Sequence, residues 1–590
     1  MRYKLSRTVL LFTLLVTLAA GACQRAGETV KQPSKEGDVP RERVAGTRGG
    51  SLTYRLTSPP KTFNYLMISE EYSLTVAFFL MSARLVEFDH DAQSYRPALA
   101  SEWKLNDDGR TLDVTLREDL KFSDGHALTA DDVLFTFQAV YDERTGSPAF
   151  RDALMVGGRP IEVTVVDARR LRLIFPELTA TPENYLSNLA VLPRHVLEGD
   201  FKRGTLRDRY SINEDPKGIV ISGPFMVESS APGERVILKR NPFYWKKDSA
   251  GTGLPYLDTL TLEVIGDSNA ALTRLTQGGL DAVDRIRPTD YASLRSGGTQ
   301  VRAYDLGPGL NTDHLWFNLN EGERDGKPVV DSVKKAWFTD ARFRRAVSYA
   351  IDRESIATSI LQGLATPLYG FVSPGNRAWA ALDIPRTEYN LDKAREQLRE
   401  AGFQLRGTGP QAELLDQKGN RVEFTLIVPV ENEPRKGMAA MIQEDLAQLG
   451  IKMQVAPIEF QALTSRWQQS KDYDAILLGT SVSEPDASPY ATYLMSSSGQ
   501  RPWHPKAAAP TQAWEIRLDE LLKAQAHERD TERRKALFRD VQIILAEQLP
   551  VIPIVARHII SAANTRVRNY RPSTLVPYSL WNAEELFVNK

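Results

Sequence analysis

The chain reads as two α/β lobes joined by a pair of crossing strands, and three observations predict it. Just past the middle, Leu306–Asn320 opens on Gly307-Pro308-Gly309, a turn signal, and closes on the alternating run His314-Leu315-Trp316-Phe317-Asn318-Leu319-Asn320, a strand pattern. The sequence before this stretch and the sequence after it each hold a full set of strand and helix patterns. Near the end, Val551–Val555 is an apolar strand that returns the chain to the first lobe. Polar positions of the middle strand then come to the floor of the space between the lobes.

At 590 residues the chain is too long for one core, and about 150 residues per domain predicts roughly two to four. Its 42% hydrophobic and 25% charged residues are ordinary for a soluble globular protein. The formal net charge of −1 gives no basic excess for a nucleic-acid partner. The 7 histidines are scattered, with no pair at metal-motif spacing. No nucleophile elbow and no glycine-rich phosphate loop is present, so a binding protein is expected, without enzymatic activity and without a cofactor.

The amino-terminal end carries an address. Arg2, Lys4 and Arg7 precede the short apolar run Val9–Ala20, and small residues Ala20, Gly21 and Ala22 lead to Cys23, the only cysteine. A basic start, a short apolar run and small residues describe a secretory leader over 1–22, since a spanning helix needs about 20 apolar residues. The run LAAGAC resembles a bacterial lipobox, which implies that the Cys23 thiolate takes a diacylglycerol. Two or more acyl chains then hold a protein stably on a bilayer. Residues 23–50 are polar, contain Gly and Pro and lack aromatics, so they read as a flexible tether.

The folded part begins with the alternating strand of Leu52, Tyr54 and Leu56. Ser58–Tyr65 is a loop, and Ser73–Leu85, apolar all round, reads as a buried helix. Trp103–Leu105 and Leu112–Leu116 flank Asn106-Asp107-Asp108-Gly109 as a hairpin. In Leu120–Val140, Asp124-Gly125 turns the chain, Thr129 caps a helix with Asp132 as its reciprocal partner, and Val133, Phe137 and Val140 share a face. Asp340 caps a second helix, and Asn390 starts a third that Gly402 stops. The strand Val422–Val430, the helix Lys436–Leu449 and the strand Lys452–Pro457 follow in β-α-β order, which predicts a mostly parallel sheet. Tyr473–Leu478 is another buried strand, followed by the loop Gly479–Pro489, and Arg533–Leu549 is an amphipathic helix.

Several of these stretches together resemble one family. Leu120–Val140, LKFSDGHALTADDVLFTFQAV, is similar to F-x-D-G-x-x-[FL]-T-A-[ED]-D-V, a signature of the family 5 extracellular solute-binding proteins, the peptide and nickel binding proteins of bacterial ABC importers. The run APGERVILKRNPFYW, the segment QGGLDAV, Asp340–Gly363 and Tyr389–Phe403 agree with further family patterns in the same order. The resemblance covers Ser51–Glu585. It implies a type II periplasmic binding protein-like α/β fold, with two lobes joined by two crossover strands and an extra subdomain on the first lobe. Lobe I is then 51–85, 185–310 and 556–590, the extra subdomain 86–184, and lobe II 311–555. The implied partners are a small-molecule or peptide ligand, held between the lobes by hinge closure, and ABC permease subunits. The protein is expected as a monomer that meets the membrane only through lipidated Cys23, on the periplasmic or cell-surface side. A ligand sensor or periplasmic chaperone with the same fold is the alternative.

In peptide-binding members a carboxylate follows the strand equivalent to Tyr473–Leu478 and pairs with the ligand's amino terminus. Here Ser481 stands at about that place, with Glu484 and Asp486 nearby as replacements. Asn64 and Tyr65 in the first loop, and Trp316 and Asn318 on the crossing strand, complete the ligand candidates. Core packing competes with a ligand role at Trp316, and turn chemistry competes with it at Glu484 and Asp486.

Overall fold

The computed structural model describes residues 43–589, apart from 297–299, 325, 483, 508 and 511. The leader, Cys23 and the tether up to residue 42 lie outside the described residues. The tether's last stretch is seated on the globule. The Val44 amide and carbonyl both bond the Asn569 side chain at 2.9 Å, and Val44 packs with Tyr244, Leu254, Tyr256 and Phe587.

One sheet of 11 strands runs through the molecule. In chain order its strands are β1 (Ser51–Leu56), β2 (Phe225–Ala231), β3 (Arg235–Arg240), β4 (Thr259–Val264), β5 (Ala282–Asp284), β6 (Val301–Phe317), β7 (Ala365–Pro367), β8 (Glu423–Pro429), β9 (Lys452–Ile458), β10 (Ala475–Thr480) and β11 (Ile552–Asn564). Across the sheet they lie β2-β3-β4-β1-β5-β11-β6-β10-β8-β9, and β7 pairs with β11. The expected mostly parallel sheet is mixed instead. β1 is parallel to β4 and β5, and β8 to β9 and β10. The β2-β3-β4 edge and the pair β6–β11 are antiparallel. Only strands joined through a helical crossover need run parallel; a hairpin or a strand crossing between lobes does not.

β6 and β11 are the two crossings. Their register runs from Val301↔Asn564 in the first lobe to Leu315↔Ile552 in the second. The Gly-Pro-Gly segment read as a turn lies inside β6. Register shifts fall between Asp305 and Pro308 and between Pro308 and Thr312, so the chain bulges there without reversing. Pro308 has no N–H to give the ladder, and Gly307 takes the left-handed backbone the bulge requires, with φ +79°.

The first lobe and the extra segment share one apolar core. Leu52, Leu260 and Leu262 of the main sheet join Leu112, Val114 and Leu116 of a 4-stranded sheet. Helix α1 (Ala130–Tyr141) adds Val133 and Phe137, and its Asp132 accepts the Thr129 amide at 2.9 Å as the sequence predicts. The buried helix expected over 73–85 forms as a wide π-turn over Leu74–Leu80, with the Met81 amide reaching back to the Val76 carbonyl at 3.0 Å.

The second lobe is a three-layer sandwich, because its strands bury both faces. Leu315, Phe317, Leu426, Val428 and Leu477 face α2 (Ala341–Ala350), α3 (Leu391–Glu400) and α4 (Glu433–Ala447). Trp316, Ile427, Ile476 and Leu478 face α5 (Ala513–His527) and α6 (Thr531–Gln548). Among the described residues no helix is long and apolar enough to cross a membrane.

Residues 371–376 clamp the bulge from one side. Phe371 stacks on His314 at 5.0 Å, and Ser373 Oγ donates to the Gly309 carbonyl at 2.6 Å. A methyl group on Gly375 would collide with the Pro308 carbonyl oxygen. Gly375→Ala is therefore expected to cost about 1–3 kcal/mol through overpacking. Thermal melting checks it, and an unchanged melting temperature would show that this clamp is not tight.

Candidate functional site

In open α/β sheets ligands meet the carboxyl ends of the parallel strands. In the second lobe those ends belong to β8 and β10. Ser481, exposed just past β10, donates from Oγ to the side-chain oxygen of Asn311 on β6 at 2.8 Å. The Tyr493 hydroxyl donates to the Ser481 carbonyl at 2.6 Å and accepts the Ser481 amide at 3.3 Å. Two residues along β6, on the same face as Asn311, stands Asp313. It is 2% exposed and accepts Arg435 Nε and Arg557 Nε, each at 2.7 Å. Burial alone would raise its pKa, but the two guanidiniums win and hold the carboxyl below the usual range. Arg435 comes from the first turn of α4, and its guanidinium occupies the space a side chain at Gly479 would fill.

In the first lobe the corresponding ends belong to β1 and β5. They border a crevice of about 10 Å³, room for a single water, lined by Tyr54, Arg55, Glu71, Tyr72, Asp284, Arg285 and Tyr578 among others. Arg285 pairs with Glu71 and donates to the Tyr72 hydroxyl, both at 2.8 Å, and lies 5.1 Å over the Tyr578 ring. Arg285 and Tyr578 both hold positive φ, +52° and +54°, which is strained for residues with side chains. Asp284 accepts the Ser579 amide at 3.0 Å and the Tyr54 hydroxyl, and burial raises its pKa. None of these seven residues, nor Asn311, Arg435, Tyr493 or Arg557, stood out in the sequence.

The lobes touch in this structure. Arg377 donates to the Asp91 carbonyl at 3.2 Å, Gln93 to the Gly375 carbonyl at 3.4 Å, and Arg529 to the Asp107 carbonyl at 3.3 Å. Phe88 of the extra segment packs against the second lobe's core.

The sequence-predicted residues divide between surface and core. Ser481 is exposed and Glu484 half-buried at the meeting of the lobes. Glu484 is only partly exposed to solvent yet closely surrounded by protein. Burial pushes its carboxyl up to about 7; the Asp486 charge adds to this, and a hydrogen bond with the Asn188 side chain opposes it. Asp486 itself is buried and chelated by Arg534 at 2.6 and 2.7 Å. Asn64 is buried, donates to the carbonyls of Leu206 and Arg209 at 3.0 and 3.1 Å, and caps the Leu66 amide. Tyr65 is buried between Phe78 and Phe150. Trp316 packs on Trp467 at 5.6 Å, and Asn318 donates to the carbonyls of Lys471 and Tyr473 at 2.8 and 2.7 Å. The structure thus brings Ser481 and Glu484 to the lobe junction. It holds Asn64, Tyr65, Trp316, Asn318 and Asp486 inside the lobes, with protein partners around them.

The raised Glu484 carboxyl predicts that closure depends on pH. A free glutamate titrates near 4.3, so in the open form it is ionised across neutral pH. The closed form prefers it protonated. Closure is fully supported below about 4.3 and loses support as pH rises towards about 7, above which the loss levels off. Ligand affinity measured calorimetrically is expected to fall from pH 5 to pH 8 and to become flat across that range in Glu484→Gln. Equal slopes in both proteins would contradict this.

Among the described residues no group of three or more His, Cys, Asp or Glu side chains could hold a metal ion. Residues 94–502 match the family model of the bacterial extracellular solute-binding proteins, family 5 Middle. A probable ABC transporter-binding protein of Deinococcus radiodurans is 30% identical over 487 residues, 79% of each chain. The oligopeptide-binding protein AppA of Bacillus subtilis is 28% identical over 491 residues, 82% of each chain. The solved structure of AppA in complex with a nonapeptide has 24% identity, covers 92% of this chain and 100% of its own, and gives a TM-score of 0.66. That likeness shows the two-lobed type II periplasmic binding protein fold. With the match spanning the extra segment, the crossing strand and most of the second lobe, the chain belongs to the family 5 bacterial extracellular solute-binding proteins.

Proposed function

We propose that this protein captures a peptide between its lobes by hinge closure and hands it to the permease of an ABC importer, breaking no bond. The observation that carries the reading is the bulged pair of crossing strands, β6 and β11, beneath lobes that meet through hydrogen bonds such as Arg377 to Asp91 and Arg529 to Asp107. A ligand drives such a hinge by making better contacts in the closed form than in the open one. The names of the relatives supply the ligand class: AppA is an oligopeptide-binding protein, and its solved structure is a complex with a nonapeptide.

Ser481, Glu484, Asn311 and Tyr493 are the side chains this reading places against the ligand. Asn64, Tyr65, Trp316, Asn318 and Asp486 shape the lobes from within. Cys23 is the lipidated residue, holding the protein on the periplasmic or cell-surface side of a membrane, with the tether giving the globule reach. The protein works as a monomer.

Equilibrium dialysis against a mixed pool of tri- to nonapeptides, followed by mass spectrometry of the retained fraction, tests the reading. Intact peptides are expected in the protein compartment above their level outside. Cleaved peptides would make the protein an enzyme, and no retention of any length would remove peptide capture.

A further inference from the structure

We propose that a chain of ion pairs couples the seating of the tether to closure of the lobes, so that residues 43–48 are held on the globule when the lobes are shut and come free when they part. The proposal rests on the hinge-closure reading and adds a second moving part to it. Arg43, where the described chain begins, pairs with one oxygen of Glu585, and Arg571 Nη2 takes the other. Arg571 Nη1 pairs in turn with the Asp91 carboxylate. The Asp91 carbonyl accepts Arg377 of the second lobe at 3.2 Å. Arg43 and Asp91 are exposed, while Glu585 and Arg571 between them are buried. A buried carboxylate stripped of its cation is costly, so the inner pair holds and any rearrangement falls on the two ends.

Asp91 is placed where closure acts. It lies in the turn of a hairpin whose strands are Val86–Asp89 and Ser94–Pro97. The turn meets the second lobe at Arg377 and at the Gly375 carbonyl, which accepts Gln93 at 3.4 Å. The rest of the hairpin is fixed to the first lobe. Lys246 joins Glu87 at 2.9 Å to Glu584 at 2.6 Å, and His90 stacks on Trp581 at 4.9 Å. Residues 91–93 are therefore the part that shifts when the second lobe withdraws. Arg571 Nε is buried with no acceptor among the described residues. Once Asp91 lets go, the Arg571 fork closes on both oxygens of Glu585, the geometry a guanidinium favours, and displaces Arg43. Val44 is loosened with it, because Asn569, which bonds both Val44 backbone groups, is itself held by the Glu585 carbonyl at 3.0 Å. Gly49 is held from outside this chain, by the Tyr256 carbonyl at 2.8 Å. Freeing 43–48 adds up to about 20 Å of reach, at roughly 3.3 Å per residue. The tether is thus short while the lobes hold a solute and longer when they are open, and a seated tether favours closure by the same factor.

Residue-resolved hydrogen exchange on the full chain tests the coupling without any solute. With Cys23→Ser in place, Asp107→Cys and Arg529→Cys are joined by a short bis-maleimide that holds the lobes shut. The same protein capped with a mono-maleimide is the reference. Locking is expected to slow exchange of the Val44 amide at least about threefold and to leave the Gly49 amide unchanged. Adding Asp91→Ala should abolish the difference at Val44. Arg377→Ala, which touches none of the first lobe's ion pairs, should shrink it; a chain that only braces the first lobe would not respond to Arg377. Equal Val44 rates in locked and capped protein overturn the coupling, and a difference that persists in Asp91→Ala overturns the ionic chain as its route. Thiols that never link overturn it too, because residues 107 and 529 then do not come together. Slowing at Val44 in a protein that retains no peptide keeps the coupling and removes peptide capture.

Discussion

The antiparallel pairing of β6 with β11 is the constraint on which the rest depends. Among the described residues these strands, 17 and 13 residues long, are the sheet elements paired across from the first lobe's register to the second's. Two adjacent connections permit bending about the line between them and resist twisting or separation. The ladder is interrupted at three register shifts, two of them on either side of Pro308 and the third between Asp313 and His314, so its pairing is weakest in the stretch around Pro308. Residues 371–376 then limit the bend by packing on His314 and Gly309.

Charges near the junction are handled in two different ways. In the second lobe Asp313 is over-compensated by two arginines and stays ionised, leaving positive charge facing outward. In the first lobe Asp284 receives only hydroxyls and an amide, and burial pushes its carboxyl up. Arg285 is held beside it by Glu71 and two tyrosines, in a strained backbone conformation the fold must stabilise. Positions of this kind are kept only when the surroundings over-determine them.

Much of the framework was legible in the sequence because it depends on local chemistry. Thr129 with Asp132, Asp340 before its helix and Asn390 before the next are caps whose partners lie within three residues. The run from His314 to Phe317 announced the strand, but its polar positions His314 and Asn318 lie buried within the second lobe and not at the floor between the lobes. Features set by distant partners were not legible. Whether Gly307-Pro308-Gly309 turns or bulges depends on β11, some 250 residues later. Asn64 and Asn318 look like exposed loop and strand amides until the carbonyls of Leu206 and Lys471 arrive to bury them. Asp486 looks like a free loop acid until Arg534 closes on it. Arg435 and Arg557 are joined only through Asp313, more than 100 residues from either.

Hinged closure on a ligand can be read as a distance. Asp107 in the extra segment and Arg529 in the second lobe are in contact in this structure. With Cys23 replaced, spin labels on Asp107→Cys and Arg529→Cys would report their separation by pulsed electron resonance. A broad, long distribution that collapses to one short distance when the retained peptide is added is the expected result. The same distribution with and without peptide would show that the two halves do not close on what they bind.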